Sequence, residues 1–289
     1  MQIIEFLQSF SNPVLDWTMR IITEFGDQYF FILLGAVLYW TVDKKFAFKL
    51  MIAYLGSAFI NGGLKAMINK PRPFEVGARP ILQQSDGSSM PSGHAQAAGS
   101  LAINLWNEYY YSKWIRGFMI AMVILVPLSR VYLGQHYLED VLVGVVLGLI
   151  LGSTFMFLLG VGNFDKEHIR ALYPIPVLII LMAFFHLEPL FVAGGSYIGL
   201  ATGYFIEKKY VRYKVNAPAL IQVTKVVLGL VVAIGLKEGL KLVFPYSASV
   251  DINPTFLDLS FDFLRYFLIG VWASLGMMWV SKKLFKRTK

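Results

Sequence analysis

Apolar stretches long enough to cross a membrane follow one another along almost the whole 289-residue chain, with short polar segments between them. Nine stretches qualify, at approximately 28–42, 46–65, 93–111, 115–129, 139–160, 171–187, 189–206, 220–241 and 262–281. The first and fourth are short. The sixth and seventh are poorly separated, because Pro174 and Pro176 sit near the start of one and only residues 187–189 divide them. The pattern predicts an all-α integral membrane protein, a helical bundle of about nine transmembrane helices. Residues 1–27 mix apolar positions with Glu5, Asp16 and Arg20 and are broken at Ser11, Asn12 and Pro13. They predict one or two short amphipathic helices on the outer surface.

Composition agrees with a membrane bundle. Hydrophobic residues make up 56% of the chain and charged residues only 15%, and the mean hydropathy is +0.59. A soluble domain needs a larger charged shell than this. The absence of cysteine excludes disulfides, thiolate nucleophiles and cysteine zinc sites. The N-terminus carries no basic region followed by a small-residue cleavage site, so no removable signal peptide is expected.

The net charge of +8 is better explained by membrane orientation than by a nucleic-acid partner, because the basic residues are scattered through short loops. Alternate loops hold most of the 26 Lys and Arg residues: Lys44, Lys45 and Lys49; Lys113 and Arg116; Lys166 and Arg170; Lys208, Lys209, Arg212, Lys214 and Lys225; and Lys282, Lys283, Lys286, Arg287 and Lys289. The positive-inside rule puts these in the cytoplasm, which leaves the N-terminus outside and the C-terminus inside. Gly144, Gly148 and Gly152 fall on one stripe of the fifth stretch and predict close helix packing, as do Gly56, Gly62 and Gly63 in the second.

Three clusters on the outer side carry the chemistry. Lys65 and Arg72-Pro73 end the second stretch, and Pro91-Ser92-Gly93-His94 begins the third. Ser129-Arg130, His136 and Asp140 run from the fourth into the fifth. These residue types suit phosphoryl transfer, which depends on positioning and on stabilising charge over three equatorial oxygens. Lys65, Arg72 and Arg130 are three cations for that purpose, and the arginines can grip oxygens bidentately. Ser92 and Gly93 open a helix whose N–H groups and dipole attract an anion. His136 and Asp140, four apart, are expected to share a helical face, with the carboxylate holding one ring nitrogen and the other free to attack phosphorus. His94 then serves as acid and afterwards as base. With no carboxylate cluster for a metal pair, the predicted chemistry uses no metal and no cofactor.

The clusters resemble the type 2 phosphatidic acid phosphatase superfamily, whose pattern is Lys-six residues-Arg-Pro, Pro-Ser-Gly-His, and Ser-Arg-five residues-His-three residues-Asp. Every defining position matches in spacing and order across roughly residues 46–160. The resemblance implies His136 as nucleophile, Asp140 as its orienter and His94 as acid and base. It implies Lys65, Arg72, Ser92, Gly93 and Arg130 as phosphate ligands. It casts 28–160 as the catalytic core and 161–289 as additional helices of the same bundle. A nine-span plan with an outside N-terminus is similar to the branch containing glucose-6-phosphatase and the sphingosine-phosphate phosphatases.

The expected activity is hydrolysis of a phosphate monoester or diphosphate through a phosphohistidine. The expected partners are membrane lipids and a lipid phosphate substrate: phosphatidate, lysophosphatidate, phosphatidylglycerophosphate, a sphingoid-base phosphate or a polyprenyl diphosphate. The expected setting is a bacterial plasma membrane with the site on its extracytoplasmic face. A soluble sugar phosphate as substrate, or a lipid or phosphate transporter without enzymatic activity, are the competing readings. His168 and His186 carry no motif. Lys237, Glu238 and Lys241 are expected to pair among themselves and with headgroups. The loops 74–90 and 244–259 are expected to cover the pocket and help select a headgroup.

Overall fold

The computed structural model describes residues 1–161, 164–247 and 254–285, and all its regular structure among these is helical. Lys286, Arg287 and Lys289 and the middle of the 244–259 loop lie outside the described residues. In order the helices are α1 (Gln2–Gln8), α2 (Pro13–Glu24), α3 (Gln28–Val37), α4 (Lys44–Ile68), α5 (Gly93–Tyr109), α6 (Lys113–Tyr132), α7 (Leu138–Gly160), α8 (Glu167–Arg170), α9 (Ile175–Phe185), α10 (Glu188–Ile206), α11 (Ala219–Val243), α12 (Phe256–Val271) and α13 (Met277–Leu284).

The expected nine spans are not confirmed. Among the described residues seven helices are long and apolar enough to cross a membrane, or eight if α2 and the helical stretch Gln28–Val42, bent by 52°, make one broken span. The third expected stretch is not among them. α5 has only 17 residues, many of them small, and both Gln96 and Asn104 are buried along it. α6 runs farther than its apolar stretch at both ends, because Ser112 caps it and Arg130 is carried in its last turn.

The chain forms two compact units, Met1–Ile32 with Ile60–Met156 and Leu33–Phe59 with Phe157–Lys289. In the first unit α5 packs against α6 and α7. A Cβ on Gly148 would lie 2.1 Å from the Gln96 carbonyl oxygen, and one on Gly144 would lie 2.6 Å from that of Ser92. The glycine stripe of α7 thus admits the backbone of α5. Gly63, expected to do the same in α4, faces open space. The N-terminal helices do more than coat a surface. Ile4 is buried with Ala78, Ala95, Val131 and Val141, and Asp16 accepts a hydrogen bond from the Tyr132 hydroxyl.

In the second unit α10 packs along α12 through a similar device, with Gly195 and Gly199 set against the Phe263 and Phe267 carbonyls. Charges cluster among Lys44, Glu207, Glu167 and Lys208, paired at 2.6 Å in each case. Lys237 pairs with Glu238 at 3.3 Å, in line with the expected mutual pairing.

Candidate active site

The first unit contains all eight residues singled out by sequence. Lys65 lies in the last turns of α4, and Arg72 follows it at the start of a short 3-10 turn over Pro73–Val76. His94 is the second residue of α5, Arg130 is near the end of α6, and Asp140 is in the first turn of α7. Arg130, Lys65 and Arg72 are close enough to act electrostatically on both His94 and His136. The fold therefore collects three separated motifs in one place.

Lys65 and Arg72 also shape the loop that joins α4 to α5. Lys65 Nζ donates to the Ser88 carbonyl at 2.7 Å. Arg72 donates from Nε to the Gly87 carbonyl at 2.8 Å and from its terminal nitrogens to the Asp86 and Gln135 carbonyls at 2.9 and 3.2 Å. The loop is further tied by the Ser89 N–H to the Lys70 carbonyl at 2.8 Å and by Ile81 N–H to the Leu133 carbonyl at 3.3 Å. Residues 74–90 are thus held against the site by backbone carbonyls gripping the motif's own cations.

His136 is 2% exposed and lies just before α7 rather than within it. The expected helical face shared with Asp140 is therefore not formed, and Nδ1 stands 3.9 Å from Asp140 Oδ2, beyond hydrogen-bond reach. Ser89 occupies the gap, with its Oγ donating to Asp140 Oδ2 at 2.5 Å and lying 3.5 Å from His136 Nδ1. Asp140 also accepts from the Tyr137 N–H at 2.9 Å and from Lys70 Nζ at 2.7 Å. The opposite ring nitrogen, Nε2, lies 3.4 Å from an Arg72 terminal nitrogen. Burial pulls the His136 pKa down to about 3; Asp140 opposes this, and Arg130, Arg72 and Lys65 reinforce it. The ring is neutral at physiological pH, the state a nitrogen nucleophile requires.

Ser92 departs from expectation in one respect. Its N–H donates to the Asp140 carbonyl at 3.0 Å, so the free amides of the α5 N-terminus begin at Gly93. Its hydroxyl is buried and has no hydrogen-bond partner among the described residues, and Nε of the buried Arg130 is in the same condition. Buried polar atoms are nearly always paired, and two orphans within one basic site suit an anion with several oxygens. Among the described residues no group of three or more His, Cys, Asp or Glu side chains is placed to hold a metal ion.

Several contributors carry no motif. Ser89 and Lys70 hold Asp140, Thr23 accepts from an Arg130 terminal nitrogen at 3.2 Å, and Asp27 faces His94 at 3.8 Å. Lys70 sits inside the first cluster and Ser89 just before the second, so proximity in sequence was their only signal. Thr23 and Asp27 had none.

Comparison with known proteins identifies the family. Residues 46–161 match the PAP2 superfamily, and residues 191–289 match the transmembrane extension of PAP2 superfamily phosphatases. The chain is 30% identical over 150 residues to undecaprenyl-diphosphatase BcrC of Bacillus subtilis, covering 51% of this chain and 76% of that one. It is 27% identical over 172 residues to sphingosine-1-phosphate phosphatase 2 of Mus musculus, covering 57% of this chain and 48% of that one. The crystal structure of Aquifex aeolicus LpxE aligns with a TM-score of 0.49 at 23% identity, over 54% of this chain and 93% of that one. This is a membrane-embedded helical protein. The chain belongs to the PAP2 superfamily, and it spans about half the length of the mouse relative.

Proposed function

We propose that the chain hydrolyses lipid phosphate monoesters or diphosphates through a phosphohistidine on His136, with no metal. The observation that carries this reading is the two-sided setting of His136. Its Nδ1 faces the Ser89–Asp140 pair and its Nε2 faces Arg72. With the proton on Nδ1, Nε2 keeps its lone pair for phosphorus. As the bond from Nε2 to phosphorus forms, the ester P–O bond breaks and His94 gives its proton to the departing oxygen. Water then attacks the phosphohistidine, returns a proton to His94 and releases inorganic phosphate and free His136. Arg130, Lys65, Arg72, the Ser92 hydroxyl and the α5 N-terminus from Gly93 onward stabilise the charge on the transferred group.

The lipid class is supported by the membrane helices and by the relatives, which include a diphosphatase of undecaprenol and a phosphatase of sphingosine 1-phosphate. The distribution of lysines and arginines supports an extracytoplasmic site and a cytoplasmic C-terminus.

The test is phosphate release by the purified chain in mixed micelles containing EDTA, across lipid phosphates and glucose 6-phosphate. Release from lipids that survives EDTA, falls on dilution with excess detergent and disappears in His136→Ala supports the proposal. Release that needs a divalent ion, or that persists in His136→Ala, overturns it.

A further inference from the structure

The N-terminal segment ends at the site rather than beside it. Thr23, 1% exposed, accepts a hydrogen bond from Arg130. At Gly26 a Cβ would lie 3.0 Å from both Cβ and the carbonyl oxygen of His94, and 2.7 Å from Val126 Cγ1. Only a residue without a side chain lets the α2–α3 connection rest so closely on the start of α5. Asp27 comes next. Its Oδ1 accepts the Tyr29 N–H at 2.7 Å, which fixes the carboxylate at the start of α3, and its Oδ2 lies 3.8 Å from His94 Nε2.

The other groups that act on His94 are basic. They are Arg130 from α6, Lys65 from α4, Arg72 from the loop, and the ring of His136. Glu24 of α2 and Asp27 both act on Arg130, and Asp27 is the carboxylate paired with the imidazole itself. A general acid must be protonated when the ester bond breaks, and burial and the three neighbouring cations oppose that state. A carboxylate at ion-pair distance favours it.

We infer that Asp27 is the positioning residue of His94, facing Nε2 across 3.8 Å and stabilising its protonated form through the ion pair. The inference rests on the reading of His94 as acid and base. When the P–O bond breaks, its electron pair stays on the departing oxygen, the proton of His94 moves to that oxygen, and the ion pair with Asp27 is lost. When water attacks the phosphohistidine, its proton passes to His94 and the ion pair forms again. Asp27 lies in the N-terminal segment, before the residues 46–161 that match the superfamily.

The experiment compares the full chain with Asp27→Asn, which keeps a side-chain oxygen for the Tyr29 N–H, and with Asp27→Glu. Each is assayed on a long-chain alkyl phosphate and on an aryl phosphate carrying the same chain. An aryl oxide departs without help from an acid, so this pair of substrates isolates proton donation. Asp27→Asn is expected to lower kcat/KM for the alkyl substrate about tenfold, while the aryl value stays within about twofold. The alkaline limb of the alkyl pH profile moves down by about one unit, because loss of the carboxylate makes His94 give up its proton more readily. Asp27→Glu keeps most of the alkyl activity.

Equal losses on both substrates with an unshifted profile overturn the inference, as does unchanged activity on both. A wild-type chain that releases phosphate but is indifferent to Asp27→Asn sinks this inference alone. A wild-type chain that releases none from either substrate sinks the reading of His94 and the inference with it.

Discussion

Nδ1 of His136 and Oδ2 of Asp140 stand 3.9 Å apart, and the hydroxyl of Ser89 bridges them by donating to the carboxylate and facing the ring nitrogen. Orientation of His136 therefore passes through a serine. Ser89→Ala should lower kcat about tenfold, since a hydrogen bond to a charged group is worth about 1.5 kcal/mol. Ser89→Thr should restore much of it. An unchanged kcat in Ser89→Ala would show that Asp140 orients His136 without the hydroxyl.

The two arginines divide their labour. Arg72 spends its donors on the Asp86, Gly87 and Gln135 carbonyls, whereas the buried Nε of Arg130, like the Ser92 hydroxyl, has no hydrogen-bond partner among the described residues. Arg72→Gln should therefore lower Tm even in the absence of phosphate, because it releases the loop. Arg130→Gln should weaken the rise in Tm produced by inorganic phosphate, with binding reduced roughly tenfold or more. Equal phosphate responses in wild type and Arg130→Gln would refute the assignment.

Close packing of α5 on α7 makes its own prediction. A methyl group on Gly148 would meet the Gln96 carbonyl at 2.1 Å, while one on Gly63 meets nothing within 4 Å. Gly148→Ala should cost about 1–3 kcal/mol and reduce activity by shifting the helix that carries His94. Gly63→Ala should leave both intact. Thermal melts in detergent decide the matter, and similar Tm values for the two variants would contradict it.

Stability should depend on pH through His136. Its folded pKa is about 3 and its ordinary value is 6.5, so between these limits the unfolded chain holds a proton that the folded chain lacks. Stability from this source is complete above about pH 6.5 and declines as pH falls toward 3. In phosphate-free detergent solution, the wild-type Tm should drop more than that of His136→Asn between about pH 6.5 and 4. Parallel declines would exclude the contribution.

The sequence made the helices and the motif residues readable because both are local signals. Apolar length marks a span, and Lys65, Arg72, His94, Arg130, His136 and Asp140 sit at helix ends on one side. Less readable was whatever depends on how the chain returns. α5 is shorter than its apolar stretch 93–111, because hydropathy counts residues past Tyr109, where the helix ends. His136 and Asp140 looked like helical neighbours because spacing alone does not show that α7 begins at Leu138. Ser89 acts through a loop held by carbonyls that belong to no motif. Asp27 reaches His94 because Gly26 permits a close backbone approach, and no periodicity reports that. Hydropathy read residues 1–27 as a surface segment, since an amphipathic helix over a membrane and one over a protein site share the same pattern.

The central claim is that phosphate passes through His136. The direct measurement incubates the full chain, in EDTA, with a lipid phosphate labelled in its phosphoryl group, and quenches in alkali, where phosphohistidine survives. Label should appear on the wild-type protein, accumulate in His94→Ala as hydrolysis of the intermediate slows, and be absent from His136→Asn. Label retained by His136→Asn, or turnover by that variant with no labelled protein, would contradict the mechanism.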